Sequence, residues 1–161
     1  MTKKVSLVTG ATGGIGFEVA KRLGLDGFTV VLNGIEDNKG AERIKALGDL
    51  GIEAEYYGFD VTDDAAVDKN VKAIGEKYGH IDAVINNAGG LGGRNPMEEM
   101  TTEFYRFVMA LNLDSAFFVS RAAIPFLKKS KSGSIVNYTS NAGWNAGGPG
   151  AGIYDVSKGA V

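Results

Sequence analysis

The 161-residue chain predicts an α/β fold, a doubly wound parallel sheet in a single domain spanning residues 1–161. Two observations point to it. Short β-branched runs alternate with stretches whose apolar residues recur at helical spacing, and that alternation calls for parallel strands joined by crossover helices. The 24 glycines cluster at 10–16, 89–93 and 143–152, each time beside a strand-like run, as expected where a backbone turns sharply or approaches a ligand closely.

Taken in order, VSLVTG (5–10) reads as a buried strand running into the first glycine turn. Ile15, Val19 and Leu23 then mark one helix face, with Gly24 near its end. TVVLN (29–33) is a second strand, and Ala41, Ile44 and Leu47 mark a helix ending near Gly48. A third strand is predicted from Ala54 to Val61, with Thr62 or Asp63 capping the next helix. That helix carries the stripe Val67, Val71, Ile74 and Tyr78, and AVINNAG (83–89) is the fourth strand with its turn. A long helix is predicted from Glu103 to Lys129. Phe107, Leu111, Phe118 and Ala122 form one stripe on it, and Ala110, Leu113, Phe117, Ile124 and Leu127 leave its other side apolar too. SIVNYTS (134–140) is the fifth strand. Sheets of this kind hold ligands at the carboxyl ends of their strands, so chemistry is sought in the turns after strands one, three, four and five.

Composition narrows the classes. An apolar share of 44% with 22% charged residues is ordinary for a globular domain able to bury a core. A net charge of −2 gives no reason to expect nucleic acid or an anionic membrane as partner. The absence of cysteine excludes disulfides and thiolate chemistry, and the lone His80, in the polar turn YGHID, reads as a solvated loop residue that cannot build a metal site. The start MTKKVSLVTG passes straight into a strand without a signal-peptide core. The apolar stretch from Phe104 to Leu127 carries Arg106, Asn112, Asp114, Arg121 and Pro125, so it is not read as a membrane span. A cytoplasmic protein is the expectation.

Several constellations carry chemistry. Gly10-x-x-x-Gly14-x-Gly16, enclosing Thr12, Gly13 and Ile15, stands between a strand and a helix. It matches neither the usual dinucleotide fingerprint nor a P-loop, yet it offers backbone N–H groups and a helix N-terminus to an anion. Tight packing alone also uses such turns. Asn33 closes strand two and is a further candidate on the same end of the sheet. Asp60, followed by Val61, is placed to accept a hydrogen bond from an adenine amino group or to cap a helix. Asn87, Ala88 and Gly89 offer small residues for a nucleoside to lie against, or make an ordinary strand exit. Asn112 is an amide in an apolar helix and needs partners. Ser140 ends strand five, where a hydroxyl can hold a substrate carbonyl. Tyr154 and Lys158, four apart, share a helix face. A free tyrosine titrates near pH ~10; a cation beside it favours the phenolate and suits it to proton transfer. Exposed Tyr–Lys pairs without function are also common.

Together these motifs resemble those of the short-chain dehydrogenase/reductase family: TGATGGIG for T-G-x-x-x-G-x-G, NNAG at 86–89, Asn112, Ser140 and YDVSK at 154–158, in order along the whole chain. Acetoacetyl and 3-oxoacyl reductases are the nearest resemblances. The resemblance implies a Rossmann-like fold and hydride transfer between NADP or NAD and a ketone, secondary alcohol or 3-oxoacyl thioester. It implies Tyr154 as general acid/base, Lys158 as its pKa-lowering partner and nicotinamide-ribose ligand, Ser140 as orienter of the substrate oxygen and Asn112 as support of a water relay. It also implies a homodimer or homotetramer pairing through the helix at 103–129 and the one beginning near Tyr154.

Two features depart from the family pattern. The chain stops inside the helix bearing Lys158, so further strands and a substrate-covering loop are expected beyond Val161. Gly34 stands where an acid would select NAD, while Gly13 and Ile35 supply no base for NADP; Glu36, twenty residues after Gly16, is within reach of a ribose or belongs to the exposed turn EDNKG, the reading preferred. The missing acid favours NADP. The alternative is a non-catalytic nucleotide-binding or regulatory protein on the same scaffold, against which the full Ser140–Tyr154–Lys158 set argues.

Overall fold

A computed structural model describes residues 3–161; Met1 and Thr2, part of the stretch read as leaderless, lie outside them. Five parallel strands, β1 (Val5–Val8), β2 (Thr29–Gly34), β3 (Ala54–Gly58), β4 (Ala83–Asn86) and β5 (Ser134–Asn137), are arranged in the order β3-β2-β1-β4-β5. Helices α1 (Gly14–Leu25) and α2 (Asp37–Gly48) link the first three strands, and α3 (Asp64–Tyr78) leads to β4. Then come α4 (Thr102–Met109), a π-helical turn (Ala110–Asp114), α5 (Ser115–Leu127), the short α6 (Ala142–Asn145) and α7 (Gly152–Ala160). Strand side chains alternate between faces. Leu7, Val31 and Val84 join Val67, Val71, Ile74, Val119 and Ala123 on one side. Val8, Leu32 and Ile85 join Ala20, Leu47 and Ile52 on the other. The two half-cores make the doubly wound arrangement expected of the alternation.

Strand lengths differ from the sequence expectation for one reason: a strand ends where its neighbour ends. β3 stops at Gly58, paired with Gly34; the Phe59 amide still donates to the Gly34 carbonyl at 3.0 Å, and Asp60 and Val61 leave the ladder. Asp60 then turns the chain, its Oδ1 accepting from the Thr62 amide and hydroxyl at 2.8 Å each. Asp63, not Thr62, caps α3 by accepting from the Ala66 amide at 3.1 Å. β5 ends at Asn137 opposite Asn86; the Tyr138 amide makes a last bond to the Asn86 carbonyl at 3.0 Å, and Thr139 and Ser140 follow the mouth of the sheet.

The long helix is three segments rather than one. The buried row is Val108, Asn112, Ser115, Val119, Ala123 and Phe126, one position out of phase with the predicted stripe through Phe107 and Leu111. Small and polar side chains take core positions because the π turn rotates them inward, and Ser115 Oγ donates to the Leu111 carbonyl at 2.6 Å. Phe107 and Phe117 are instead half-exposed. By length and composition Thr102–Leu127 is apolar enough to cross a bilayer; here α5 packs on β4 and α3, and its outer Arg121 pairs with Asp64 and Asp68. His80 is also corrected. It is partly buried, with Nε2 3.2 Å from Asp82 Oδ2, because Asp82 is anchored inward by the Val5 amide (2.8 Å) and Ser130 hydroxyl (2.5 Å).

Candidate active site

Because β1 and β4 are neighbours while their following segments diverge to opposite sides, a hollow opens at their carboxyl ends. It has two lobes sharing Gly10, Asn87 and Gly89. One lobe, about 230 Å³, is bounded by Thr12, Asn33, Gly34, Asp60, Val61 and Ala88. The other, about 440 Å³, runs from Gly13, Gly14 and Ile15 to Thr139, Tyr154 and Lys158. Every predicted site residue except Gly16, Asn112 and Ser140 lines one lobe or the other.

The glycine turn is shaped by space as well as by φ. Gly10 adopts φ +61, and a Cβ there would lie 2.9 Å from Ala88 Cα. A Cβ at Gly16 would meet Asn87 Nδ2 at 2.5 Å and the Gly10 carbonyl at 2.6 Å. The turn is laced to β4 by Thr9, which the sequence reading had passed over. Its hydroxyl accepts from the Asn87 and Ala88 amides at 3.0 Å, while Asn87 Nδ2 donates to the Thr9 and Gly10 carbonyls at 2.9 and 3.1 Å. Asn33 is fully committed to the scaffold: it donates to the Phe59 carbonyl at 2.9 Å and accepts from the Gly10 amide at 3.4 Å. It shapes the lobe wall rather than offering a free amide.

Lys158 is the buried cation of the second lobe. Only 6% of it is exposed, and Nζ donates to the Tyr138 carbonyl at 2.7 Å. Burial pushes its pKa down, since taking an ammonium out of water disfavours the charged form. A Cβ at Gly89 would stand 3.0 Å from that Nζ and 2.8 Å from Asn112 Oδ1, so the absence of a side chain at 89 keeps the lysine accessible. Asn112 uses its amide on Gly90, accepting from its N–H and donating to its carbonyl, both at 2.9 Å, and donates to the Val108 carbonyl at 2.9 Å. This satisfied amide inside the π turn fixes the loop after β4.

Tyr154 and Lys158 stand together on the cleft wall, held by α7. Gly143 and Gly159 let α6 and α7 touch backbone to backbone, since a Cβ at 143 would lie 2.5 Å from Gly159 N. Ser140 lies one residue beyond the cleft-lining Thr139; its hydroxyl accepts from the Ala142 amide at 3.1 Å and donates to Asn141 Oδ1 at 3.4 Å. Arg94, also missed from the sequence, ties the loop before Tyr154 to the loop after β4 by donating to the Gly147 and Pro149 carbonyls at 3.2 and 2.8 Å. Side chains that act on distant carbonyls leave no spacing signal in a sequence.

The fit to a dinucleotide rests on the paired lobes and on glycines whose Cβ positions are already filled. The sequence profile of the short chain dehydrogenase family matches residues 4–161. A 3beta-hydroxysteroid dehydrogenase of Mediterraneibacter gnavus is 40% identical over 159 residues, 99% of this chain and 57% of that protein. The solved F189W actinorhodin polyketide ketoreductase with NADPH superposes with a TM-score of 0.91 at 33% identity, covering 98% of this chain and 60% of the other. An NAD+-bound xylitol dehydrogenase superposes equally, with a TM-score of 0.91 at 34% identity and the same coverages. The chain thus spans somewhat under two thirds of the length of these relatives.

Proposed function

The chain belongs to the short-chain dehydrogenase family, and from that premise we propose that the protein is an NAD(P)-dependent oxidoreductase acting on a ketone, secondary alcohol or 3-oxoacyl thioester. The observation that carries this is the placing of Tyr154 and the buried Lys158 on one wall of a cleft whose opposite end is the glycine turn. The bound coenzyme would supply hydride chemistry, which no side chain can provide. This chain's own residues bind, orient and move the proton. The amides of the Gly13–Gly16 turn and the start of α1 receive the pyrophosphate; Thr12, Asp60 and Val61 hold the adenosine; Lys158 and Gly89 border the nicotinamide ribose. The Tyr154 hydroxyl gives its proton to the substrate oxygen in reduction and takes it back in oxidation, with Lys158 supplying positive charge on the same wall. Ser140 orients the substrate oxygen after releasing its local bonds, and Asn112 supports the water path to Lys158.

A soluble, cytoplasmic homodimer or homotetramer is part of the same proposal, built on the exposed apolar side of α4 and α5. The test is direct. NADPH and NADH are titrated by fluorescence, and coenzyme absorbance is then followed with 3-oxoacyl thioesters, cyclic ketones and secondary alcohols. Coenzyme oxidation with any of them supports the reading; tight binding without turnover across the panel favours the regulatory alternative.

A further inference from the structure

We propose that Arg43 on α2 determines coenzyme choice by holding the 2′-phosphate of NADP(H). The inference rests on the coenzyme reading above. Thr12, Gly34 and Ile35, which bound the adenosine lobe, carry no charge, and the lobe's one carboxylate, Asp60, is engaged through Oδ1 by the Thr62 amide and hydroxyl. Position 34 has no room for a selecting acid: a Cβ there would lie 2.4 Å from Thr12 Cγ2, so the threonine methyl already fills the space. Glu36 is turned away onto Lys39, at 2.8 Å. Neither position 34 nor Glu36 therefore offers a carboxylate to a 2′-hydroxyl or sets one against a phosphate.

Arg43 approaches Thr12 from the next helix and lines the adjoining groove with Gly13 and Phe17. Its Nε donates to the Thr12 carbonyl at 2.9 Å, and its guanidinium lies 4.6 Å from the centre of the Phe17 ring. Two contacts thus fix the plane of a half-buried cation beside Thr12, which lines the adenosine lobe. Among the described residues no acid lies within ion-pairing distance of it. Glu18, which shares the adjoining groove with Gly13 and Arg43, is paired with Lys21 at 3.8 Å. The Nη groups remain as donors, and a guanidinium fork matches phosphate geometry with two parallel hydrogen bonds. The N-terminus of α1 at the same turn adds positive potential. A ligand carrying a phosphate beside the adenosine ribose meets two sources of positive charge here; one with a bare hydroxyl meets no acceptor built for it.

The alternative role, a mere brace for Thr12, predicts something different. Calorimetric titrations of the parent, Arg43→Gln and Arg43→Lys with NADP+, NAD+, 2′,5′-ADP and 5′-AMP separate them. Arg43→Gln should weaken NADP+ and 2′,5′-ADP by about tenfold or more, equivalent to ~1.4 kcal/mol, with NAD+ and 5′-AMP within about twofold. Arg43→Lys should recover part of the loss, as a point charge without the fork. Equal losses for NADP+ and NAD+ would make Arg43 a structural brace, and unchanged NADP+ affinity would remove it from the site; either overturns the inference while leaving the coenzyme reading intact. A parent protein that binds neither dinucleotide overturns that reading, and the inference with it.

Discussion

At the scale of single residues, Lys158 meets opposed demands. In the proposed mechanism it must be charged to act on Tyr154, yet it is buried and its pKa is lowered by desolvation. The sign of its effect on stability follows. Below its lowered folded pKa the lysine is protonated in both states, and the fold bears the full cost of a buried charge. As pH rises through that value towards the ordinary 10.5, the folded state releases its proton first and this cost is relieved. Lys158→Met removes the effect. Urea denaturation of both proteins across the alkaline range should therefore show the parent gaining on the variant as pH rises; a constant difference would contradict the buried-cation description. Tyr154→Phe removes only the proton donor, so turnover should fall by about 10²–10⁴-fold with coenzyme affinity nearly unchanged. A variant keeping more than half the parental rate would exclude the proposed acid. Tyr154, Lys158 and the glycines were legible because spacing alone puts them together. Thr9, Arg43 and Arg94 were not, because each acts on a carbonyl or amide far along the chain, and any polar residue in a loop or on a helix looks the same in sequence.

At the scale of elements, packing between α3 and α5 depends on one missing side chain. A Cβ at Gly75 would lie 2.3 Å from the Phe126 ring. Gly75→Ala gains ~0.5–1 kcal/mol from helix propensity but forces an overpacked contact costing about 1–3 kcal/mol, so the clash wins. Urea melts should show net destabilisation, and adding Phe126→Leu should return part of it, because the two positions are coupled through one contact. A Gly75→Ala protein more stable than the parent would show that the helices shift apart freely. All five strands and the main helices were visible in the periodicity. Their ends were overrun, since β-branched content continues through Val61 and Tyr138 while pairing stops with the neighbouring strand. The π turn was hidden altogether: it is a change of phase, and Asn112 and Ser115 occupy core positions that an apolar pattern assigns elsewhere.

At the scale of the whole molecule, the outer face of α4 and α5 leaves Tyr105, Phe107, Phe117 and Ile124 between 42% and 58% exposed. This is the surface on which the proposed assembly rests. Replacing Phe117 and Ile124 together by glutamate should shift the sedimentation coefficient from an oligomer to a monomer while leaving far-ultraviolet circular dichroism unchanged, because neither side chain is part of the core. A parent that sediments as a monomer would end the assembly proposal.

The strand order has a consequence in time. β1 is the central strand, yet one of its two partners, β4, is made much later: the Val5 amide bonds to Asp82, 77 residues on. A ribosome adding about 5–20 residues per second leaves that edge of β1 bare for roughly 4–15 s. During that interval the first three strands have everything they need to pair, while the face that α3 and α5 will cover stays open to water and to other nascent chains. Recovery of soluble protein should therefore depend on translation rate and chaperone supply more than on final stability, with slower elongation after Tyr78 lengthening the exposed period.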